Sequence, residues 1–167
     1  MSNEPVVVRR GPAHYAGIPI KVTLAEWSKA NALVPELFGW LARHGIAPTG
    51  GPIYRYHTIG DIDREFDLEI GVPVASPVDG DGRVLAGSLP AGSYAVIVHE
   101  GHPDRQEHSH AALQARAAAQ RLEFDKRGEG CDEVWTARYE TYLTDPAVQP
   151  DPEQWSTEIA YLIKAAS

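Results

Sequence analysis

Arg55-Tyr56-His57-Thr58-Ile59 returns in the second half of the chain as Arg138-Tyr139-Glu140-Thr141-Tyr142. A carboxylate-bearing strand follows each copy: Phe66-Asp67-Leu68-Glu69-Ile70-Gly71-Val72-Pro73-Val74 in the first, Trp155-Ser156-Thr157-Glu158-Ile159-Ala160-Tyr161-Leu162-Ile163 in the second. The aromatic, glutamate and isoleucine keep their places. Upstream, Tyr15-Ala16-Gly17-Ile18 matches Tyr94-Ala95-Val96-Ile97. The matches are collinear, and their offset grows from 79 to 83 to 89 residues, so loops between matched strands have lengthened. Self-similarity of this kind sets the architecture before any single residue is interpreted.

Each half is too short to cover its own sheet face, so the two are expected to share a core. The domain then spans residues 1–167, with repeat 1 over about 4–75 and repeat 2 over about 82–164. In repeat 1, Thr23 with Glu26 three positions on marks a helix start, and an apolar stripe of Leu33, Leu37, Trp40 and Leu41 carries the helix to Arg43. Pro35 should kink or divide it. Strands are predicted over Ile53–Ile59 and Phe66–Val74. In repeat 2 the alanine-rich stretch from Asp104 to Phe124 is the helix, and Glu133–Leu143 and Trp155–Ile163 are the strands. A strand segment precedes each copy: Val6–Arg9 and Arg83–Ser88. The fold class is α+β, built from duplicated β-α-β-β units with pseudo-two-fold symmetry, one main helix each, and antiparallel sheets curved around a central groove.

Alternation assigns faces. Phe66, Leu68, Ile70, Val72 and Val74 are expected beneath the helix, as are Thr157, Ile159 and Tyr161. Glu69 and Glu158 then point away from the helices. The match of Arg55-Tyr56-His57 with Arg138-Tyr139-Glu140 adds His57, Arg55, Arg138, Glu140 and Tyr142 to that same face. Glu140 and Glu158 are expected to converge there in a cleft between the repeats, a common place for a small-molecule site.

The formal net charge of −8 speaks against a nucleic-acid surface, which presents clustered Lys and Arg. Carboxylates ringed by aromatics suit an organic cation instead. No apolar run approaches the roughly 18 residues of a membrane span, and Met1-Ser2-Asn3-Glu4-Pro5 lacks a secretory pattern, so cytoplasmic residence is expected. Cys131 is the lone cysteine, excludes an intramolecular disulfide and reads as a loop residue. Asp79-Gly80-Asp81-Gly82 is a turn without the downstream ligands of a calcium loop. His99-Glu100-Gly101-His102 and His108-Ser109-His110 do not have zinc-protease spacing, and neither a metal nor a cofactor is expected.

The order Tyr15-Ala16-Gly17-Ile18, Gly51-Pro52-Ile53-Tyr54, Leu68-Glu69-Ile70-Gly71-Val72-Pro73-Val74, Leu89-Pro90-Ala91-Gly92, His99-Glu100-Gly101-His102, Tyr139-Glu140-Thr141-Tyr142-Leu143-Thr144-Asp145-Pro146 and Trp155-Ser156-Thr157-Glu158-Ile159 resembles GyrI-like small-molecule-binding domains over nearly the whole chain. That resemblance implies the SHS2-type duplicated fold with a ligand groove between units. It also implies the effector-sensing role of multidrug-responsive regulators, in which a buried glutamate and aromatic rings receive cationic or planar ligands; Glu140 matches that glutamate. No helix-turn-helix pattern precedes the domain, so direct DNA binding by this chain is not expected. Stand-alone members are linked to toxin protection. Some resemble hydrolases that open the cyclopropane ring of DNA-alkylating natural products, and others are inhibitor modules of the gyrase-inhibitor type that use a protein partner. The ligand set implied is Glu140, Glu158, Glu69, His57, Tyr54, Tyr94, Trp135 and Tyr142. For a hydrolase, Glu140 and Glu158 would together take a proton from water.

Overall fold

The structure is a computed structural model that describes residues 4–59, 62–129 and 133–165. Cys131 and part of the turn before Phe66 lie outside the described residues. Among the described residues, ten strands and three α-helices follow in the order β1 (Val6–Arg10), β2 (Ala13–Val22), α1 (Trp27–Asn31), α2 (Leu33–Arg43), β3 (Ile53–Tyr56), β4 (Phe66–Val74), β5 (Leu85–Leu89), β6 (Gly92–Glu100), α3 (Gln106–Ala119), β7 (Lys126–Arg127), β8 (Val134–Trp135), β9 (Arg138–Tyr142) and β10 (Ser156–Leu162). Eight strands form one antiparallel sheet in the order β1-β6-β10-β9-β3-β4-β2-β5. β7 and β8 pair separately, and the strand expected over Glu133–Leu143 is divided into β8 and β9.

The sheet order is a palindrome of the repeat. β3-β4-β2 on one side mirrors β9-β10-β6 on the other, and the halves join through β3 and β9. Each preceding strand crosses to the opposite copy: β1 pairs with β6 and β5 with β2. The predicted duplicated α+β architecture with pseudo-two-fold symmetry is therefore present, and the crossing strands tie each half to the other.

Register refines the repeat. Ile18 faces Ile70 in repeat 1 and Ile97 faces Ile159 in repeat 2, which agrees with the offsets of 79 and 89. The middle offset is different. Arg55 faces Glu69, but Thr141 faces Glu158, so Arg55 corresponds to Thr141 and Tyr54 to Glu140. That offset is 86, three residues from the one drawn from the resemblance of the two Arg-Tyr motifs. Tyr54 and Glu140 also face each other across the central ladder, which places the pseudo-two-fold axis between them.

Both helical layers cover the same sheet face. The larger core joins Leu33, Leu37, Trp40 and Leu41 of α2 to Ile18, Phe66, Leu68, Ile70 and Val72. A second packs Leu113 of α3 onto Ala95, Ile97, Ile159 and Tyr161. Pro35 acts as expected. Its ring would meet the carbonyl four residues back, at Asn31, and the helix breaks there, with Ala32 separating α1 from α2. The Thr23 amide donates to Glu26 Oε1 at 3.1 Å, one arm of the predicted capping box. The second helix ends at Ala119, short of Phe124, because Arg121 adopts a left-handed φ of 58° and the Leu122 amide turns back to the Ala117 carbonyl at 2.8 Å. Among the described residues no helix is long and apolar enough to cross a membrane.

Candidate functional site

A cleft of about 1390 Å³ opens over the centre of the sheet on the helical side. Its walls are α1 and α2 on one side and the start of α3 on the other; its floor is the β3–β9 seam. Glu140, on that floor, is 3% exposed. Because β-strand side chains alternate, an odd shift of register exchanges the faces. The three-residue correction therefore moves Glu140 and Tyr142 to the helical side with Tyr54 and Tyr56. Ile159, buried against α3, faces Glu140, whereas Glu158 faces Thr141 on the helix-free side. The expected convergence of Glu140 and Glu158 does not occur, and the groove lies on the opposite face from the one anticipated.

The break at Asn31 turns α1 toward β3. Trp27 stacks on Tyr54 at 5.6 Å between ring centroids and on Tyr56 at 6.1 Å. Tyr54 in turn meets Tyr142 at 4.9 Å and donates its hydroxyl to Asn31 Oδ1 at 2.6 Å. Phe38 and Trp155 complete the aromatic lining. Burial, reinforced by the Glu140 charge, pushes the hydroxyls of Tyr54, Tyr56 and Tyr142 well above the ordinary tyrosine range. They are neutral donors at any physiological pH.

Glu140 Oε1 accepts from the Tyr56 hydroxyl at 3.0 Å and Oε2 hydrogen-bonds His110 Nε2 at 2.8 Å. Behind His110 the partners are ordered. Gln114 Nε2 donates to the Tyr161 oxygen at 3.3 Å, and that hydroxyl meets His110 Nδ1. With Tyr161 donating onward, Nδ1 accepts and Nε2–H donates to Glu140, which satisfies the whole chain. Arg138, two residues away on the same face, is spread over rings instead, 4.4 Å from the Tyr161 centroid and 4.8 Å from that of Trp135. A buried carboxylate faced by rings and neutral donors is a site for a positive or polarised ligand group.

Of the anticipated residues, Glu140, Tyr54 and Tyr142 line this cleft. Glu69, His57, Glu158 and Tyr94 lie on the other face. There, Tyr15 donates to Glu69 Oε1 at 2.5 Å and His57 Nε2 approaches the same oxygen at 3.0 Å. Burial raises the Glu69 carboxyl, but its hydrogen bonds to His57 and Tyr15 and the neighbouring positive charge outweigh that and hold it below the ordinary 4.5. Glu158 pairs with Arg10 at 2.8 Å. Burial pushes Tyr94 up to about 12, and its hydroxyl donates to the Pro90 carbonyl at 2.6 Å. Trp135 is packed with Phe124 and Tyr161, outside the cleft. Tyr56, Asn31 and His110 are additions to the expected set, and Trp27, whose position reads equally as core, also lines the cleft. Alternation from Tyr54 marks Tyr56, and the spacing of His110 on α3 carries no signal for Glu140 until the helix is docked.

With this geometry in place, the comparisons are specific. The family model described as "GyrI-like small molecule binding domain" matches residues 3–164. The chain belongs to that family. Among solved structures, the C-terminal domain of EcmrR aligns with the GyrI-like domain described here at a TM-score of 0.76 and 16% identity, covering 99% of this chain and 100% of that one. In the EcmrR–DNA complex the TM-score is 0.77 at 15% identity, with 98% of this chain covered; the chain spans 58% of that longer protein. A hydrolase from Listeria innocua aligns at 0.61 and 12% identity, covering 96% and 92%. SAV2435 bound to tetraphenylphosphonium aligns at 0.57 and 12%, covering 99% and 95%. At these identities the likeness is one of fold. No curated protein matches the sequence.

Proposed function

We propose that this GyrI-like domain captures hydrophobic cations, planar or propeller-shaped, in the cleft on its pseudo-two-fold axis. The observation that carries the reading is Glu140: a carboxylate 3% exposed, facing a large aromatic cleft, with a neutral tyrosine and a histidine as its partners. Trp27, Tyr54, Tyr56 and Tyr142 supply ring faces, and Glu140 supplies the charge that selects cations over neutral molecules of equal shape. The fold neighbour bound to tetraphenylphosphonium supports that ligand class.

Calorimetric titration of tetraphenylphosphonium and of triphenylmethanol, a neutral triaryl compound, tests it. Glu140→Gln removes charge while nearly preserving volume. Loss of a charge-assisted contact of about 1.5–3 kcal/mol weakens the cation roughly 10- to 150-fold. The neutral compound should change little. Equal losses for both ligands reject the role given to Glu140.

A hydrolytic reading has one observation in its favour, the Glu140–His110 contact of 2.8 Å inside the cleft. A water between Glu140 and an activated cyclopropane would lose its proton to that carboxylate as it attacks a ring carbon; the ring C–C bond breaks, its electron pair passes into the conjugated carbonyl, and Tyr142 could donate to the phenolate-like oxygen that results. Glu158 has no part in this version, since it lies across the sheet. Incubation with a cyclopropane-containing alkylator, followed by mass spectrometry, decides it: a product that has gained water supports turnover, and unchanged compound rejects it.

A further inference from the structure

Large apolar side chains left in water are informative where they gather. Among the described residues seven are exposed, and one end of the cleft holds two of them. Leu143, 51% exposed, lines the cleft, and Val148, 81% exposed, follows the lining residue Ala147. Pro146 and Trp155 line the same end, and all five residues belong to the connection from β9 to β10.

Hydrogen bonds hold this ledge in place. The Asp145 carbonyl accepts the Val148 and Gln149 amides at 3.0 and 2.9 Å, and Asp145 Oδ1 accepts the Ala147 amide at 2.9 Å. Trp155 Nε1 donates to the Gln149 carbonyl at 2.6 Å, and the Ser156 amide donates to Thr144 Oγ1 at 2.9 Å. The loop satisfies its own polar groups, so its apolar side chains are ordered before any ligand covers them.

The ledge adjoins the acid on the floor. The Leu143 amide continues the strand ladder to the Ser156 carbonyl at 3.0 Å, and three residues of extended chain put Leu143 about 10 Å beyond Glu140. The cleft volume of about 1390 Å³ exceeds the roughly 300–1,000 Å³ of most small-molecule sites, and among the described residues no lysine or arginine lines it. A compact cation seated at Glu140 therefore leaves the Leu143 end uncovered.

We infer that the β9–β10 connection is a subsite for an alkyl chain, which makes the ligand class a cationic amphiphile: a positive head at Glu140 and a saturated chain laid over Leu143 and Val148. This rests on the cation-capture reading of the same cleft and narrows it, since a cation without a chain engages the floor alone. Covering the ledge removes apolar surface of both protein and ligand from water.

Methyltriphenylphosphonium and decyltriphenylphosphonium, compared by calorimetry, test it. A methylene on the ledge is covered from one side and should raise affinity about 2-fold, half the free energy of full burial; five such groups give roughly a 30-fold preference for the decyl ion. That ratio should fall several-fold when Leu143→Ser is combined with Val148→Ser. It should also fall when Leu143→Gln is combined with Val148→Gln, which retains bulk should serine disturb the loop. Leu85→Ser, at an exposed leucine of β5 outside the cleft, should leave the ratio as it is. A wild-type ratio near one, a ratio that survives in both folded double variants, or an equal fall in Leu85→Ser overturns the inference. Glu140→Gln separates the two readings, because it should weaken both ions and preserve their ratio. Unchanged affinities in that variant remove the cation reading while the ratio still judges the ledge, and absence of binding by either ion to the wild type removes both.

Discussion

Glu69 and Glu158 hold the same place in the two repeats and have different surroundings. In repeat 1, Tyr15 lies flat across Gly17, Gly71 and Gly87, where added Cβ atoms would come within 2.8, 2.5 and 2.3 Å of its ring. That bed lets the hydroxyl reach Glu69, which is 8% exposed and further enclosed by His57 and Arg55. By the repeat's register, the corresponding positions in the other half are Val96, Ala160 and Val8. Tyr94 cannot lie down there. It turns to the Pro90 carbonyl, and Arg10 takes Glu158 at 2.8 Å instead. Three absent side chains, two of valine and one of alanine, thus separate an enclosed acid in one half from a partly exposed ion pair in the other.

The comparison breaks most severely at Gly71. Its Cβ would meet Tyr15 Cδ2 at 2.5 Å and Ile53 Cγ1 at 3.1 Å, in a buried strand with no slack on that face. Gly71→Ala should cost about 1–3 kcal/mol through overpacking, and displacing Tyr15 leaves Glu69 short of a partner for about 1–3 kcal/mol more. Melting temperature in a chain of this size moves roughly 2–4 °C per kcal/mol. A variant melting with the wild type would mean that the glycine bed is dispensable. Gly71 is on the far face from the cleft, so a folded Gly71→Ala protein should retain its preference for cations.

Much of this was legible in the sequence. The outer strands kept matching residues because Ile18, Ile70, Ile97 and Ile159 do the same work under the helices, and their offsets agree with the register. The inner strands misled for a physical reason. β3 and β9 meet on the axis and both line the cleft, where the two copies need not carry like residues, and residue identity drifts from position. Arg55 and Arg138 look alike and lie on opposite faces; Tyr54 and Glu140 look unlike and are true counterparts. An error of three residues is small along the chain and reverses a strand's faces, which is why Glu140 was placed with Glu158 rather than with Tyr56. His110 was weighed as part of a histidine cluster for metal, and only the docking of α3 on the sheet reveals it as Glu140's partner.

The next effect in size separates an acid that holds structure from one that faces a cleft. Glu69→Gln should destabilise by about 1–3 kcal/mol, because the Tyr15 and His57 contacts lose their charged acceptor in a buried setting. Its pH dependence has a definite sign. The folded carboxyl sits below 4.5, so its contribution is complete above the ordinary carboxylate range and is lost as pH falls through the folded value. Chemical denaturation at neutral pH and at successively lower pH should show wild type and Glu69→Gln converging on acidification. A gap that stays constant or widens would contradict the depressed carboxyl.

The smallest effect belongs to Glu158, and it bears directly on the chemistry. The Arg10 and Glu158 side chains are 31% and 21% exposed, so water screens the pair, and exposed or half-exposed pairs of this kind contribute about 0–1 kcal/mol. Arg10 also keeps other company if the carboxylate is lost: its Nη1 donates to the Tyr139 hydroxyl at 2.9 Å, and its guanidinium lies 5.9 Å from the Tyr94 ring centroid. Glu158→Gln should therefore shift the melting temperature by no more than a few degrees, with the loss shrinking in high salt as screening replaces the pair. The β10 strand also stands between Glu158 and the cleft, so tetraphenylphosphonium affinity should match the wild type. If the protein does open a cyclopropane ring, turnover should survive in Glu158→Gln and fall by about 10²–10⁴ in Glu140→Gln, the usual contribution of a general base. Equal loss in the two variants would require the carboxylates to act on one water from opposite faces of a sheet, and would refute the placement of the cleft.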